Sequence, residues 1–355
     1  MRRLSARRLS SVVATAVTVA VVAGAVVAGG QPAGTPSGRL TLRGAGATFP
    51  APLYEAWIKR FTAQHPDVSL VYDAVGSGEG QRRFLAQAVD FGASDAALSD
   101  EQIAAARAGA SLVPVTAGMV VLAYNLPGLG GPLKLPRDVY VDLLLGKIAS
   151  WDDPRIASAN PDLKLPKRSI ALVARLDKSG TTYALTSHLS AVSERWRNGP
   201  GAATWVEWPS QVMLARGNEG VASRIKISEG AIGYVEYGFA KRLGLTVAAL
   251  QNKAGAFVLP DQGSAQSALA EGTVGASGDL RLFITDPAQP ASYPVVTYSW
   301  LLLYKQYPDP QKRAALRDFV GWGLRKGQEL GQPLGYIPLP ANVAAQAQSA
   351  LRAID

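Results

Sequence analysis

Hydrophobic and polar positions along the chain switch between two periods. Leu40-Thr41-Leu42-Arg43, residues 70–75, residues 89–94 and residues 169–174 are short apolar, β-prone runs that read as strands. After Pro50, the residues Leu53, Ala56, Trp57 and Phe61 recur at helical spacing, which predicts a helix packed on a sheet with Trp57 in the core. Residues 137–145 and 262–270 also read as helices, and Asp153-Pro154 and Asp309-Pro310 supply capped starts for two more. The second of these carries Leu316, Phe319, Val320, Gly323 and Leu324 on one face, and a last helix is expected over 341–354. Residues 230–236 and 294–304 predict strands, with a short helix over 221–227 after Gly217-Asn218-Glu219-Gly220. Residues 112–124 form an apolar run broken by Pro114 and Gly118. It is too long for an ordinary strand and is expected to carry the chain across a domain boundary. Strands alternating with helices define an α/β class.

Three strand-to-helix turns share a composition. They are Gly44-Ala45-Gly46-Ala47-Thr48-Phe49, Gly76-Ser77-Gly78-Glu79-Gly80, and Ser179-Gly180-Thr181-Thr182, the last preceded by Arg175 and Asp177. At such a turn the first helical amides lack intrahelical acceptors and point the same way, assisted by the helix dipole, which makes an anion site. In open α/β sheets ligands bind beyond the carboxyl ends of the strands, where all three turns would lie. None matches a P-loop or a full dinucleotide fingerprint.

Composition narrows the setting. The chain has 355 residues, 48% of them hydrophobic, enough for two medium cores. Arg2, Arg3, Arg7 and Arg8 precede an uncharged Val/Ala-rich run over 9–30, which reads as an export signal, cleaved after its small residues or retained as an anchor. Residues 31–38 are a Pro/Gly-rich linker. Removing those four arginines from the formal charge of +9 leaves +5, a mild excess suited to an anionic ligand. No dense basic run with interleaved aromatics points to nucleic acid. Cysteine is absent, which excludes disulfides, thiolate metal sites, catalytic thiols and a lipidated cysteine.

A tetrahedral oxyanion stripped of water needs donors on every side. Thr48, Ser77, Ser179 and Thr181 offer hydroxyls, their turns offer amides, and Arg175 offers a planar fork. Asp95, at the end of the run 89–94, is the odd member. An ionised carboxylate there admits an oxyanion that carries a proton, as phosphate does at neutral pH, and repels sulfate, which carries none. Asp177 is placed to orient Arg175. Catalytic readings are weaker: His65 and His188 fall near expected helix ends and read as surface residues, and no G-x-S-x-G is present. Neither catalytic residues nor a metal or other cofactor are expected.

Five blocks carry a resemblance: GAGATFPAPLYEAW, DFGASDAALSDEQ, GKIASWDDPRI, RLDKSGTTY and GNEGVASRIKISEGAIGYVEYGFA. In this order they resemble the phosphate-binding proteins of bacterial phosphate ABC transporters, the PstS family, over residues 40–355. The resemblance implies a two-lobed periplasmic-binding-protein fold of type II, each lobe a mixed sheet flanked by helices, closing on one phosphate in the cleft. Lobe I would comprise 39–114 and 289–355, and lobe II 115–288. It implies phosphate contacts from Thr48, Phe49, Ser77, Asp95, Arg175, Asp177, Ser179, Gly180 and Thr181. It implies an extracytoplasmic monomer that delivers inorganic phosphate to ABC permease subunits. The alternatives are a phosphatase-like enzyme built on the same cradle and a cell-surface oxyanion sensor. Lys178 stands where the family usually has glycine, and Leu176 where a small or polar residue is commoner.

Overall fold

The computed structural model describes residues 39–274 and 280–355; the expected export signal and linker, residues 1–38, lie outside them. In chain order the strands are β1 (Leu40–Gly46), β2 (Val68–Ala74), β3 (Phe91–Ser94), β4 (Ser111–Tyr124), β5 (Lys134–Leu135), β6 (Ala171–Arg175) and β7 (Met213–Ala215). They continue with β8 (Ala231–Glu236), β9 (Thr246–Val247), β10 (Ala249–Gln251), β11 (Phe257–Val258), β12 (Thr273–Val274), β13 (Leu282–Phe283) and β14 (Val296–Leu303). One nine-stranded sheet has the order β2-β1-β3-β14-β4-β8-β6-β7, with β9 pairing off β4. β5, β10 and β11 form a small sheet, and β12 pairs with β13.

The direction of these strands positions everything else. β1 is parallel to β2 and β3, and β14 is antiparallel to both β3 and β4, so β1 to β4 run one way. β8 is antiparallel to β4, while β6 is parallel to β8 and β7, so these three run the other way. Ser94, the last residue of β3, faces Trp300, which faces Pro114; Glu236, the last of β8, faces Val120. The carboxyl ends of two opposed sets of strands therefore meet over the middle of β4.

β4 is a single strand of 14 residues, which corrects the expectation that residues 112–124 exceed one strand. It is long because it belongs to both halves of the sheet: its first part pairs with β14 and its last part with β8. From Leu112 onward every residue is buried, so the run is continuously apolar and shows no alternation. Pro114 donates no ladder hydrogen bond, and the register slips beside it: Ser299 faces Thr116 while Trp300 faces Pro114. At Gly118 a Cβ would lie 2.8 Å from the Phe49 ring, so that ring packs directly on the strand.

Helices cover the sheet as their apolar stripes dictate. In Ala51–Thr62 the buried residues include Leu53, Trp57 and Phe61, and the Trp57 indole donates to Gly327 O at 2.8 Å. Asp153 and Asp309 cap their helices as expected, accepting from Arg155 N at 2.9 Å and Gln311 N at 2.8 Å. The helix expected over 221–227 begins earlier, at Gly217 (Gly217–Ile227), which draws Asn218 into its first turn. His188, expected at the surface, is buried within the helix Gly180–Val192, with Nε2 2.9 Å from the Tyr140 hydroxyl. No described helix is long and apolar enough to cross a membrane.

Between β1, β3 and the helix Ser77–Leu85, a Cβ added to Gly80 would overlap Gly46 Cα and lie 2.9 Å from both Ala45 O and Ala93 O. These are backbone atoms that cannot swing aside. Gly80→Ala is expected to lower the unfolding free energy by about 3 kcal/mol in urea titrations, whereas a variant as stable as the parent would refute this packing.

Candidate anion-binding site

Three turns reach the middle of β4 from the β1–β3 side. Thr48 and Phe49 come after β1, Ser77 after β2 and Asp95 after β3. Gly76 has φ +96, a conformation side chains rarely adopt, and this turn aims Ser77 at the end of β3. The Asp95 amide donates to Ser77 Oγ at 3.2 Å, Ser77 Oγ approaches Asp95 Oδ2 at 3.4 Å, and Ser299 Oγ donates to Asp95 Oδ1 at 2.7 Å. Asp95 is 2% exposed. Burial pushes its pKa up to about 7, against the opposing pull of Ser299, Arg175 and Ser77. Phe49 is fully buried; its carbonyl accepts from the Tyr336 hydroxyl at 2.7 Å.

The opposite wall is built from the end of β6 and the turn that leads into the helix Gly180–Val192. Arg175, 2% exposed, ends β6 and donates through Nε to Asp177 Oδ1 at 2.9 Å and through a terminal nitrogen to Asp177 Oδ2. Its other terminal nitrogen lies 3.4 Å from Thr181 Oγ1. Burial alone would raise the pKa of Asp177, but Arg175 and the Gly217 amide, which donates at 3.1 Å, hold it below the usual carboxylate range. Ser179 Oγ caps the helix Gly180–Val192 by accepting from Thr182 N at 3.1 Å. The first-turn amides of Gly180 and Thr181 have no helical carbonyl within reach.

The two walls touch. Asn218 donates through N and Nδ2 to Thr48 Oγ1 at 3.2 and 3.0 Å and through Nδ2 to Thr181 Oγ1 at 3.1 Å, while its Oδ1 accepts from Glu236 N at 3.0 Å. Gly78 N donates to Lys178 O at 3.0 Å, so the departure at Lys178 sits in a backbone bridge between the walls. A Cβ on Gly180 would lie 2.5 Å from Ser77 Oγ and 2.6 Å from Asp95 Oδ2, so Oδ2 faces the start of that helix. The structure thus brings Thr48, Ser77, Asp95, Arg175, Asp177, Ser179, Gly180 and Thr181 to one place, with Phe49 behind Thr48.

Thr48, Asp177 and Gly217 also border a cleft of about 620 Å³, flanked by Pro52 and Glu55 on one side and Arg216, Phe239 and Arg242 on the other. Asn218 and Ser299 were not anticipated as site residues. Among the described residues no group of three or more His, Asp or Glu side chains is arranged to hold a metal ion.

Turns from opposed strand sets, closing on a buried polar pocket with an arginine and a carboxylate inside it, define a binding protein of the periplasmic type. A family model described as a PBP superfamily domain matches residues 31–326. The chain is 38% identical over 310 residues to the phosphate-binding protein PstS of Pasteurella multocida, covering 87% of this chain and 89% of that protein. It is 37% identical over 309 residues to PstS of Xylella fastidiosa, covering 87% and 84%. The chain belongs to the PstS family. Its fold is shared with the periplasmic phosphate-binding protein PfluDING, solved with phosphate bound, at a TM-score of 0.71 and 21% identity over 87% of this chain and 93% of that one.

Buried carboxylates give the ligand-free protein a distinctive pH response. Burial raises Asp95 to about 7 and Glu236 to about 8, so the folded chain keeps protons that the unfolded chain releases near its ordinary values of about 4. Stability therefore falls as pH rises, until each folded-state pKa is passed. Burial lowers His188 to about 4, so its contribution is lost as pH falls below about 6.5 and is constant above. Between about pH 6.5 and 8 the carboxylates act alone among these three, and the thermal midpoint should decline, less steeply in Asp95→Asn. A flat or rising parent curve would contradict the burial of these groups.

Proposed function

We propose that the chain captures inorganic phosphate outside the cytoplasm and hands it to the permease of a membrane ABC transporter, without performing chemistry on it. The observation that carries the reading is Asp95: a fully buried carboxylate whose Oδ2 faces an anion-binding helix start, across from Arg175. Such a carboxylate accepts a proton from a protonated oxyanion and repels an unprotonated one. Arg175, held flat by Asp177, supplies the positive charge; Thr48, Ser77, Ser179 and Thr181 supply hydroxyls, and the amides of Phe49, Gly180 and Thr181 complete the cradle, the Ser179 amide being taken by Thr204 O at 2.8 Å. Ser179 is committed to its helix cap and the histidines contact Phe61 O and Tyr140, so neither stands as an activated nucleophile and base. Relatives named phosphate-binding protein PstS support the same ligand.

In this reading residues 39–114 and 289–355 form one lobe and 115–288 the other, closing by a twist of β4 near Pro114 and Gly118 and of the segment 286–294. The lobe bounded by the edge strand β2 and the lobe bounded by the edge strand β7 then move as rigid bodies, the ligand stabilising the closed form by contacting both. The protein works as an extracytoplasmic monomer after export.

Calorimetric titration of chain refolded free of carried-over ligand tests this. One phosphate per chain and no response to sulfate at pH 8 are expected; a folded sample that ignores phosphate refutes the function. Arg175→Ala should weaken phosphate binding by about 3 kcal/mol, because the anion loses a buried charged donor and is left near the unneutralised charge of Asp177. Asn218→Ala should weaken it by about 1 kcal/mol through loss of the bridge to Thr48 and Thr181. In Asp95→Asn the preference for phosphate over sulfate should narrow, and an unchanged ratio would remove Asp95 from the selection.

A further inference from the structure

Ser299 lies on β14, which comes from the far end of the chain, and it is fully buried. Its hydroxyl donates to Asp95 Oδ1 at 2.7 Å, the shortest contact that Asp95 makes with a side chain. The placement is built into the sheet. Trp300 faces Ser94, which sets Ser299 opposite Asp95 just past the end of β3. On its other side the register between β14 and β4 slips between Ser299, which faces Thr116, and Trp300, which faces Pro114, leaving Val115 without a partner on β14. Irregularities of this kind re-aim a side chain beside a functional site. The two carboxylate oxygens of Asp95 are thereby made unequal: Oδ1 is tied back to β14, and Oδ2 faces Gly180.

We propose that Ser299 is a positioning residue for ligand selection, holding Asp95 Oδ1 so that Oδ2 alone meets the oxyanion as a proton acceptor. The inference rests on the proposed capture of phosphate and adds to it the group that decides how Asp95 is presented. Without the hydroxyl, the carboxyl can turn, loses a donor that favours its charged form, and retains its proton to higher pH. A protonated Asp95 is a donor, and a donor welcomes sulfate. Ser299 therefore sets the pH above which sulfate is refused. The titratable and charged groups around Asp95 are Arg175 on β6, Tyr54 on the helix Ala51–Thr62, Tyr72 on β2, Glu236 at the end of β8, and Tyr336. Substitution at Ser299 removes none of these groups; Tyr54 alone among them also interacts with Ser299, so Tyr54→Phe is titrated alongside to separate its part from the serine's.

The test is calorimetric titration of the refolded full chain with phosphate and with sulfate from pH 5.5 to 9, for the parent, Ser299→Ala, Ser299→Thr and Ser299→Cys. In the parent, sulfate binding should appear only at the acid end. In Ser299→Ala its midpoint should move upward by about one pH unit, with about a tenfold loss of phosphate affinity at pH 8. Ser299→Thr keeps the hydroxyl and should restore both. Ser299→Cys keeps the size with a weak donor and should behave as the alanine variant does, which preserves the test if alanine does not fold. A sulfate midpoint unmoved in Ser299→Ala or Ser299→Cys, in a parent that binds phosphate, overturns the inference alone, even if thermal stability drops. A parent that binds no phosphate overturns the function and the inference together.

Discussion

The arrangement on which the rest depends is the meeting of two opposed strand sets over one shared strand. A buried anion needs donors on all sides, and a single sheet of parallel strands presents its turns from one side only. Here β4 runs with β1, β2 and β3 and against β6, β7 and β8, so turns after both sets face each other across its centre. Thr48, Ser77 and Asp95 come from one set, Arg175 to Thr181 and Asn218 from the other. The absence of a side chain at Gly118 lets the Phe49 ring close over the strand between them.

Charge inside this pocket is arranged in tiers. Asp177 fixes the plane of Arg175 and takes the Gly217 amide, so the positive group is both neutralised and aimed. Asp95 and Glu236 are buried carboxylates whose charged forms the surroundings disfavour, with pKa values pushed up to about 7 and 8. Glu236 is kept by a structural task, accepting from Gly238 N at 2.7 Å and Phe239 N at 3.3 Å at the start of a helix. Asp95 has no such task in its own turn, and its burial makes sense through the ligand. Stability sacrificed at a binding centre in this way is common where function needs a strained group.

Much of this was legible in the sequence. Alternating strands and helices, the three small-residue turns, and caps at Asp153 and Asp309 are local signals, and local physics governs them. Five motif blocks in order also gave the family. What stayed hidden is long-range. Residues 112–124 looked too long for a strand because length rules assume a strand serves one sheet half, and β4 serves two. Asn218 sits in an unremarkable Gly-Asn-Glu-Gly turn, and only tertiary folding brings its amide to Thr48 and Thr181. Ser299 is one polar residue in an apolar run, and its contact depends on a register irregularity that Pro114 hints at but does not specify. His188 was misplaced because the helix Gly180–Val192 continues past it and packs it against Tyr140.

The position of β14 in the sheet has a consequence for biosynthesis. It is the last strand of the described chain, yet it stands between β3 and β4, two strands made long before it. Until the ribosome has produced it, β3 keeps an open edge, Asp95 lacks its serine, and β4 cannot join the first half of the sheet. Pairing across so much intervening chain is slow because the closure entropy comes before its reward. The binding site, which borrows Ser299 from this strand, is therefore complete only after nearly all of the described chain has been made.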